Sequence, residues 1–382
     1  MKNKKKQKAI GIHKSSIMAK EFDYILFIIT TALAIFGVVV IFSATRTNET
    51  NTNVIVQSSA LLMGVALEIF ICFFDYEQFK NLIKPIYVFS VAILIFVLIF
   101  GVTGDWGARS WIRFGSIGLQ PAEIAKLCFI ITFSYHLEKV KDKINKIPVI
   151  LGLLLHIGVP VSLILLQPDM GSTMVFVFMF LCMIFVAKLS YKYIIPVGVA
   201  GICSLPFVYK YVLSPYQQNR IQVFLNPEMD PLNKGYNVIQ SKIAVGSGQF
   251  LGKGYLEGTQ NQMGYLPTKS TDFIFSVISE EFGFVGAMIV VIVLFALIIR
   301  CFKAARKADN VFGRYICTGV GAMFMFHVFE NIGMCIGLTP VTGIPLPFLS
   351  YGGTSLITNM AAIGLVLSVE YHNKPRSVFD VY

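Results

Sequence analysis

The sequence predicts an all-α protein with ten membrane-spanning helices, and three observations support that prediction. Hydrophobic residues make up 55% of the 382 positions and charged residues only 14%, which excludes an ordinary soluble globular protein. Ten apolar runs are long enough to cross about 30 Å of hydrocarbon. Lys and Arg residues are concentrated in every second connection between those runs, as the positive-inside rule requires of a multi-pass protein.

The apolar runs define the predicted topology. They cover residues 22–44, 54–74, 84–101, 120–138, 147–166, 170–187, 192–212, 272–300, 311–338 and 350–371. With the N-terminus inside, the inner segments hold 22 of the 32 Lys and Arg residues and the outer segments hold 8. We therefore expect cytoplasmic tails at 1–21 and 372–382 around one membrane domain, 22–371, with long extracytoplasmic loops at 102–119 and 213–271.

This orientation limits the chemistry that the polar loops can perform. ATP and nucleotide sugars are absent outside the cytoplasm, and the chain has no GxxxxGK[ST] phosphate loop. An energy-rich substrate would therefore arrive attached to a lipid. The net charge of +11 follows the membrane orientation and does not indicate nucleic acid. The seven cysteines show no CxxC or Cys/His spacing, so neither a disulfide framework nor a zinc site is predicted.

Asp272 stands where a polar, glycine-rich segment joins a long apolar run, with Lys269 just before it. An ionised carboxylate in hydrocarbon is costly, so Asp272, Glu280 and Glu281 are predicted to face a polar cavity from one helix. The simpler alternative is that Asp272 caps that helix, and the two roles are compatible. The preceding loop contains one helical pattern, 235–250, which is either an amphipathic helix over a cavity mouth or a packed surface helix.

Other charged residues lie within or beside the apolar runs. Glu123 and Lys126 are three residues apart and share a helical face, so they can pair inside the membrane, for structure or for substrate. Asp169, at the junction of the fifth and sixth runs, is either a turn residue or another acid of the same cavity. His156 and His327 are assigned no chemistry, because a lone histidine in a helix bundle is more often a hydrogen-bonding residue than a ligand.

Residues 331–355, NIGMCIGLTPVTGIPLPFLSYGGTS, resemble the C-terminal signature of the SEDS family, the shape, elongation, division and sporulation proteins of bacterial cell-wall synthesis. Four further segments resemble family segments in the same order: 107–126, 165–172, 226–254 and 266–286. The resemblance therefore covers nearly the whole chain. Residues 258–262, GTQNQ, resemble the elongation subgroup more than the division subgroup.

The resemblance implies a glycosyltransferase of the bacterial cytoplasmic membrane that polymerises lipid II into glycan strands. Its implied partners are lipid II, the nascent glycan, membrane lipids and a class B penicillin-binding protein, with no nucleic acid. Asp272 resembles the proposed catalytic base of the family. The remaining implied site residues are the diphosphate-binding candidates Arg109, Lys126 and Lys269, Trp111 for stacking on a sugar, and Glu123 and Asp169 for the substrate pocket or for structure.

Two departures from the family pattern concern this site. Ser270 stands where many members have histidine, so no histidine role is expected in this loop. An arginine often directly precedes the loop tryptophan, whereas here Ser110 does, and Arg109 lies one position earlier with Arg113 as the alternative. Diphosphate chemistry often uses a divalent cation such as Mg²⁺, but no carboxylate cluster predicts its ligands, so the cofactor stays open.

Two other functional classes suit a ten-span protein of this kind. A lipid II flippase would also place polar residues in the membrane, although no repeated pair of interrupted helices is evident in the sequence. A non-catalytic scaffold for the penicillin-binding protein would require Asp272 to be dispensable. The activity of an Asp272 variant therefore separates the scaffold from the enzyme.

Overall fold

A computed structural model of the chain describes residues 22–46, 51–102, 110–114, 117–213, 215–230 and 234–373. The predicted N-terminal tail and nearly all of the C-terminal tail lie outside these residues. The first α-helices described are α1 Tyr24–Thr45, α2 Thr52–Phe73, α3 Ile83–Phe100, α4 Pro121–Val140, α5 Ile147–Leu165, α6 Met170–Val186 and α7 Tyr191–Phe207. A 3-10 turn at Tyr76–Leu82 leads into α3, and an antiparallel hairpin of β1 Ile112–Phe114 and β2 Ile117–Leu119 precedes α4.

The second half of the chain begins with the long segment after α7. That segment contains a π-helical turn at Val208–Val212, α8 Pro215–Leu225, a 3-10 turn at Pro227–Met229, α9 Lys234–Ser247 and the short α10 Thr259–Gln262. Three long helices complete the fold: α11 Ile274–Lys307, α12 Val311–Ile336 and α13 Gly353–Tyr371. Each of the ten predicted apolar runs thus overlaps one helix of the bundle.

Seven helical segments of the described chain are long and apolar enough to cross a membrane. They are α1, α2, Tyr76–Phe100, α5, α11, α12 and α13. Of the other three, α6 and α7 are 17 residues long, and α4 carries charged residues along its length. The all-α, multi-span architecture therefore agrees with the sequence, whereas the number of ten spans stays a prediction.

Helix α13 lies at the centre of the bundle. It packs along α2 and also contacts α1, α4, α11 and α12, while α12 packs against α11, α4 and α6. Small residues permit the close approach between helices, as is common in membrane bundles. A Cβ atom on Gly364 of α13 would lie 2.8 Å from the carbonyl oxygen of Glu68 on α2, so only glycine fits there without a shift.

Helix α11 is interrupted at Gly283, where φ is 65° and ψ is −166°. This conformation is essentially restricted to glycine. The interruption frees backbone groups on both sides, and the preceding loop supplies their partners. The four hydrogen bonds run from Lys253 N–H to Glu280 O (3.0 Å), Gly254 N–H to Glu281 O (3.1 Å), Phe284 N–H to Gln249 O (2.9 Å) and Val285 N–H to Phe250 O (3.2 Å).

This geometry corrects the expectation that three carboxylates face one cavity from one helix. Asp272 lies before the first residue of α11, Ile274, and the acids Glu280 and Glu281 lie just before the interruption. Glu281 accepts hydrogen bonds from Ser43 Oγ (2.5 Å) and Asn261 Nδ2 (2.8 Å). Glu280 and Glu281 therefore bind the neighbouring loop and α1, and Asp272 has a separate environment.

The helical pattern at 235–250 forms α9, which packs against α11 and α12. Ser241 on α9 is fully buried, lies 2.7 Å from Ser276 Oγ and donates a hydrogen bond to the carbonyl oxygen of Cys335 (2.8 Å). Ala244 is also buried, whereas Ile243 is exposed. The structure thus favours a helix packed on the protein over one that lies free on the membrane surface.

Candidate functional site

A cleft with about 390 Å³ of empty space lies at the end of the bundle where α4, α11 and α13 begin. Its lining comprises the turn before α11, part of the segment between α12 and α13, the first turn of α13, and the residues Trp111 and Gln120. Asp272 lines this cleft and is 6% exposed. The N-cap position of α11 belongs to Phe273, and Asp272 lies one residue before it.

The backbone around Asp272 is fixed by side chains of the signature segment. Asn331 on α12 is fully buried and donates hydrogen bonds to the carbonyl oxygens of Asp272 (2.9 Å) and Ile344 (2.8 Å). Ser350 Oγ donates to the carbonyl oxygen of Thr271 (2.6 Å). These bonds join the turn before α11 to α12 and to the segment that leads into α13, so side chains of the signature hold the backbone beside and at Asp272 in place.

Trp111 reaches the cleft from the base of the β-hairpin. Its carbonyl oxygen accepts a hydrogen bond from Val102 N–H (2.8 Å), and its ring packs on Gly118, where an added Cβ would lie 3.1 Å from the ring. Thr354, at the start of α13, donates to the carbonyl oxygen of Gly118 (2.9 Å) and ties the hairpin to the bundle. The candidate Arg109 lies outside the described residues, and its alternative Arg113 is exposed on β1.

Glu123 and Lys126 form the intramembrane pair that their spacing predicts. Lys126 Nζ lies 2.8 Å from Glu123 Oε1, and both side chains are at most 3% exposed. Lys126 also lies 2.9 Å from His327 Nε2 on α12, and because an ammonium can only donate, the imidazole nitrogen accepts. His327 is thus the hydrogen-bonding residue that a lone histidine in a bundle usually is.

Asp169 serves as the N-cap of α6. Its carboxylate accepts hydrogen bonds from Ser172 N–H (2.9 Å) and Ser172 Oγ (2.8 Å). Such a cap satisfies backbone groups that the first turn of a helix leaves unpaired. The contacts of Asp169 are those of a residue in the turn before α6, and neither Asp169 nor the Glu123–Lys126 pair is among the residues that line the cleft of Asp272.

Lys269 is half-buried and donates a hydrogen bond to the carbonyl oxygen of Asn261. Burial lowers the pKa of Lys269, and the nearby carboxylates of Glu281 and Glu280 only partly oppose that shift. The ammonium therefore lies between the loop and the two buried acids. It is not among the residues that line the cleft.

Sequence reasoning missed several polar residues that shape this end of the bundle. Gln57, within the apolar run of α2, is fully buried and bonds to the backbone of residues 350 and 352. Asn261 is fully buried beside Glu281. The available signal was an isolated amide for Gln57 and the run of three amides in 258–262, GTQNQ, for Asn261, and neither signal reveals the partners of an amide.

No group of three or more His, Cys, Asp or Glu side chains that could hold a metal ion occurs within the described part of the chain. These residues therefore give no ligand set for a divalent cation.

The fold and the site together define a multi-pass helical membrane protein with a buried aspartate in a cleft at one end of its bundle. The sequence profile of the FtsW, RodA and SpoVE family, described as cell cycle proteins, matches residues 23–375. The chain belongs to this family, as the SEDS resemblance predicted. It is a multi-pass protein of the bacterial cytoplasmic membrane.

Individual relatives match over nearly their whole length. The chain is 35% identical to a probable peptidoglycan glycosyltransferase FtsW of Trichlorobacter lovleyi, covering 91% of this chain and 93% of the relative. It is 33% identical to the peptidoglycan glycosyltransferase RodA of Treponema pallidum, covering 91% and 97%. The similarity to RodA agrees with the elongation-type resemblance, and the FtsW relative matches at a similar identity.

A solved structure gives the same fold. It was described in a study of how a peptidoglycan synthase complex coordinates polymerization and crosslinking. The match has a TM-score of 0.79 at 31% identity and covers 91% of this chain and 97% of the other. The prediction of an all-α polytopic membrane protein is thereby confirmed.

Proposed function

We propose that this chain, a peptidoglycan glycosyltransferase like its curated relatives, polymerises lipid II into glycan strands at the outer face of the membrane during cell elongation. In this reaction the 4-hydroxyl of one lipid-linked GlcNAc attacks the anomeric carbon of a lipid-linked MurNAc. Undecaprenyl diphosphate leaves, and the configuration at that carbon inverts. The proton of the attacking hydroxyl passes to a general base.

The observation that carries the proposal is the placement of Asp272. This carboxylate lines a cleft at the end of the bundle that charge asymmetry predicts to be extracytoplasmic, and Trp111 lines the same cleft. A general base must lie within hydrogen-bond reach of the hydroxyl that it deprotonates. A cleft that holds both a carboxylate and an indole can accommodate a sugar hydroxyl beside a stacking surface.

The remaining candidates fall into two groups, one proposed from position in the sequence and one from contacts in the structure. The leaving diphosphate needs positive charge, and Arg109 and Lys269 are the candidates nearest in sequence to Trp111 and Asp272. Lys126 is paired with Glu123 and with His327, which supports a structural role for this pair. The N-cap contacts of Asp169 support a structural role there as well.

The proposed partner is a class B penicillin-binding protein, whose transpeptidase would crosslink the new glycan. Support comes from the structural relative, which was studied within a peptidoglycan synthase complex that couples polymerization and crosslinking. The match covers 91% of this chain and 97% of the other chain, which supports a comparable assembly here. Lipid II, the nascent glycan and membrane lipids are the other proposed partners.

A lipid II flippase is the second candidate, and the interruption of α11 at Gly283 favours it, because transporters often bind their cargo at broken helices. In such proteins the free helix ends contact the substrate or an ion. Here four backbone bonds from residues 249–254 occupy the ends of the break. The interruption therefore holds a loop in place, and its backbone groups are already bonded to that loop. This weakens the argument for the transporter.

Purified protein in vesicles that carry fluorescent lipid II only in the outer leaflet tests the proposal. The enzyme should produce glycan polymer without an energy source, and lysozyme should digest that polymer. Movement of lipid II between leaflets without polymer would instead support the flippase. Absence of both activities from folded protein would contradict both functions and leave the scaffold.

A further inference from the structure

Gln57 is a buried amide on α2 whose two polar atoms both bind one short stretch of backbone. Its side chain is 0% exposed. Nε2 donates a hydrogen bond to the carbonyl oxygen of Ser350 (3.2 Å), and Oε1 accepts one from Gly352 N–H (3.0 Å). The amide therefore brackets Tyr351, and α2 is joined to the segment that leads into α13.

The bracketed stretch forms a wall of the Asp272 cleft and also holds the turn that carries Asp272. Tyr351 and Gly352 both line the cleft. Tyr351 N–H donates to the carbonyl oxygen of Ser270 (2.8 Å), and Ser350 Oγ donates to that of Thr271 (2.6 Å). Gln57 thus binds the backbone of Ser350 and Gly352. The same strip of residues, 350–352, also binds the backbone of Ser270 and Thr271, the two residues before Asp272.

Removing the amide would take the partner from the buried carbonyl oxygen of Ser350 and from the partly buried N–H of Gly352. An unpaired N–H or carbonyl away from water carries a large desolvation cost, so the strip is expected to move until its groups find other partners. A displacement of about 1 Å at a reacting group can lower a rate by about 100-fold. The side chain of Gln57 therefore bears on catalysis although the cleft lining does not include it.

We propose that Gln57 is a positioning residue of the polymerisation site, which sets the place of Asp272 through Ser350 and Tyr351. This inference rests on the proposed function. Gln57 is not among the residues that line the cleft, so its action passes through the backbone of residues 350–352. Substrate affinity, which depends on the cleft surface as a whole, should change less than turnover.

The test compares Gln57→Leu with wild type in polymerisation of lipid II by folded, detergent-purified protein. The turnover number should fall about 10-fold to 100-fold, while the KM for lipid II stays close to the wild-type value. Gln57→Glu retains the acceptor for Gly352 N–H and loses the donor to Ser350. Its turnover number should therefore lie between those of wild type and Gln57→Leu. Two control variants on the same helix accompany them.

Ser59→Ala is the exposed control, since Ser59 Oγ bonds only to backbone oxygens of its own helix, Ile55 O and Val56 O. Glu68→Leu is the buried control, since Glu68 accepts from Thr30 on α1 and is fully buried. Ser59→Ala should behave as wild type. Glu68→Leu should lower thermal stability while the folded fraction keeps normal turnover.

Three results would overturn the proposal. They are wild-type turnover in Gln57→Leu, a loss of turnover matched by an equal loss in Glu68→Leu, and failure of both Gln57 variants to accumulate as folded protein. The wild-type and Asp272→Asn proteins are assayed in parallel. If wild type makes no polymer, the proposed function fails. If wild type is active, Asp272→Asn is not, and Gln57→Leu is normal, only the positioning role fails.

Discussion

At the scale of single residues, buried carboxylates in this protein differ by the groups that bind them. Glu280 is fully buried and accepts hydrogen bonds from Lys253 Nζ (2.8 Å) and from the backbone N–H groups of Gln260 (2.9 Å) and Asn261 (3.1 Å). Its charge is thus stabilised by the loop that it organises. Asp272 lines the cleft at the end of the bundle, where the proposed function gives it the role of general base.

The sequence identified most of these acids but not their individual roles. Charged residues are rare in apolar runs, and this rarity pointed to Asp272, Glu123 and Lys126. The i,i+3 spacing of Glu123 and Lys126 predicted that these two side chains form a pair. Gln57 was missed because its partner Ser350 lies 293 residues away in the chain. Contacts of that kind arise from helix packing, and no local pattern in the sequence encodes them.

The Glu123–Lys126 pair provides the first prediction. Lys126→Met should lower stability by about 3–5 kcal/mol, because it leaves a buried carboxylate unpaired. Glu123→Gln combined with Lys126→Met should recover much of that loss, which is the non-additivity expected of residues in contact. Thermal unfolding in detergent measures both effects, and strictly additive losses would show that the two side chains do not act as a pair.

The control for this cycle is the more exposed pair of Lys80 and Glu138, which lie 3.0 Å apart with side chains 24% and 22% exposed. Lys80→Met should cost about 1 kcal/mol or less, because water screens a partly exposed pair. A loss as large as that of Lys126→Met would mean that burial does not explain the difference.

At the scale of elements, the interrupted helix α11 and the loop that fills it behave as one unit. The apolar pattern predicted a single span at 272–300, and that expectation missed the break. A glycine within an apolar run is compatible with a continuous helix at a cost of only about 1 kcal/mol. The break at Gly283 depends on backbone groups of residues 249–254, which the local sequence of the span does not contain.

Gly283→Ala tests this unit. Its φ of 65° and ψ of −166° are strained for alanine, and an added Cβ would lie 2.2 Å from Gly252 N. The variant should lose about 1–3 kcal/mol of stability from backbone strain alone. The apparent melting temperature should fall, and limited proteolysis should cut residues 249–262 faster than in wild type.

Gly158→Ala on α5 is the matched control, since nothing lies within 4 Å of an added Cβ there. It should be neutral or slightly stabilising, because alanine is the better helix former. Equal melting temperatures for the two variants would show that the break at Gly283 does not require glycine.

At the scale of the whole molecule, the proposed reaction requires the cleft to face the extracytoplasmic side of the membrane. The helix starts of α4, α11 and α13 meet at the cleft, and the charge asymmetry predicts that this end is extracytoplasmic. The distribution of Lys and Arg predicts both the topology and the sidedness, and both stay predictions. The arrangement of helices around α13 was not predicted, although α12 and α13 are the least apolar of the seven long helices in the described chain and also the most buried.

Cysteine labelling tests this orientation in a variant that lacks the seven native cysteines. Glu257 in the long loop and Lys307 at the end of α11 are both exposed, so cysteines at these positions are accessible to reagent. In intact spheroplasts a membrane-impermeant thiol reagent should label position 257 and spare position 307, and lysis should expose position 307. The reverse pattern would overturn the topology and, with it, the extracytoplasmic site.

The assignment of Asp272 as the general base is tested most directly by the rate of glycan polymerisation by purified Asp272→Asn protein. Removal of a positioned general base lowers a rate by about 100-fold or more, so polymer formation should fall at least that far while folding and lipid II binding are retained. Glu257→Gln, at an exposed carboxylate of the same loop, is the control and should be fully active. Near-normal polymerisation by folded Asp272→Asn protein would contradict the assignment of Asp272 as the base.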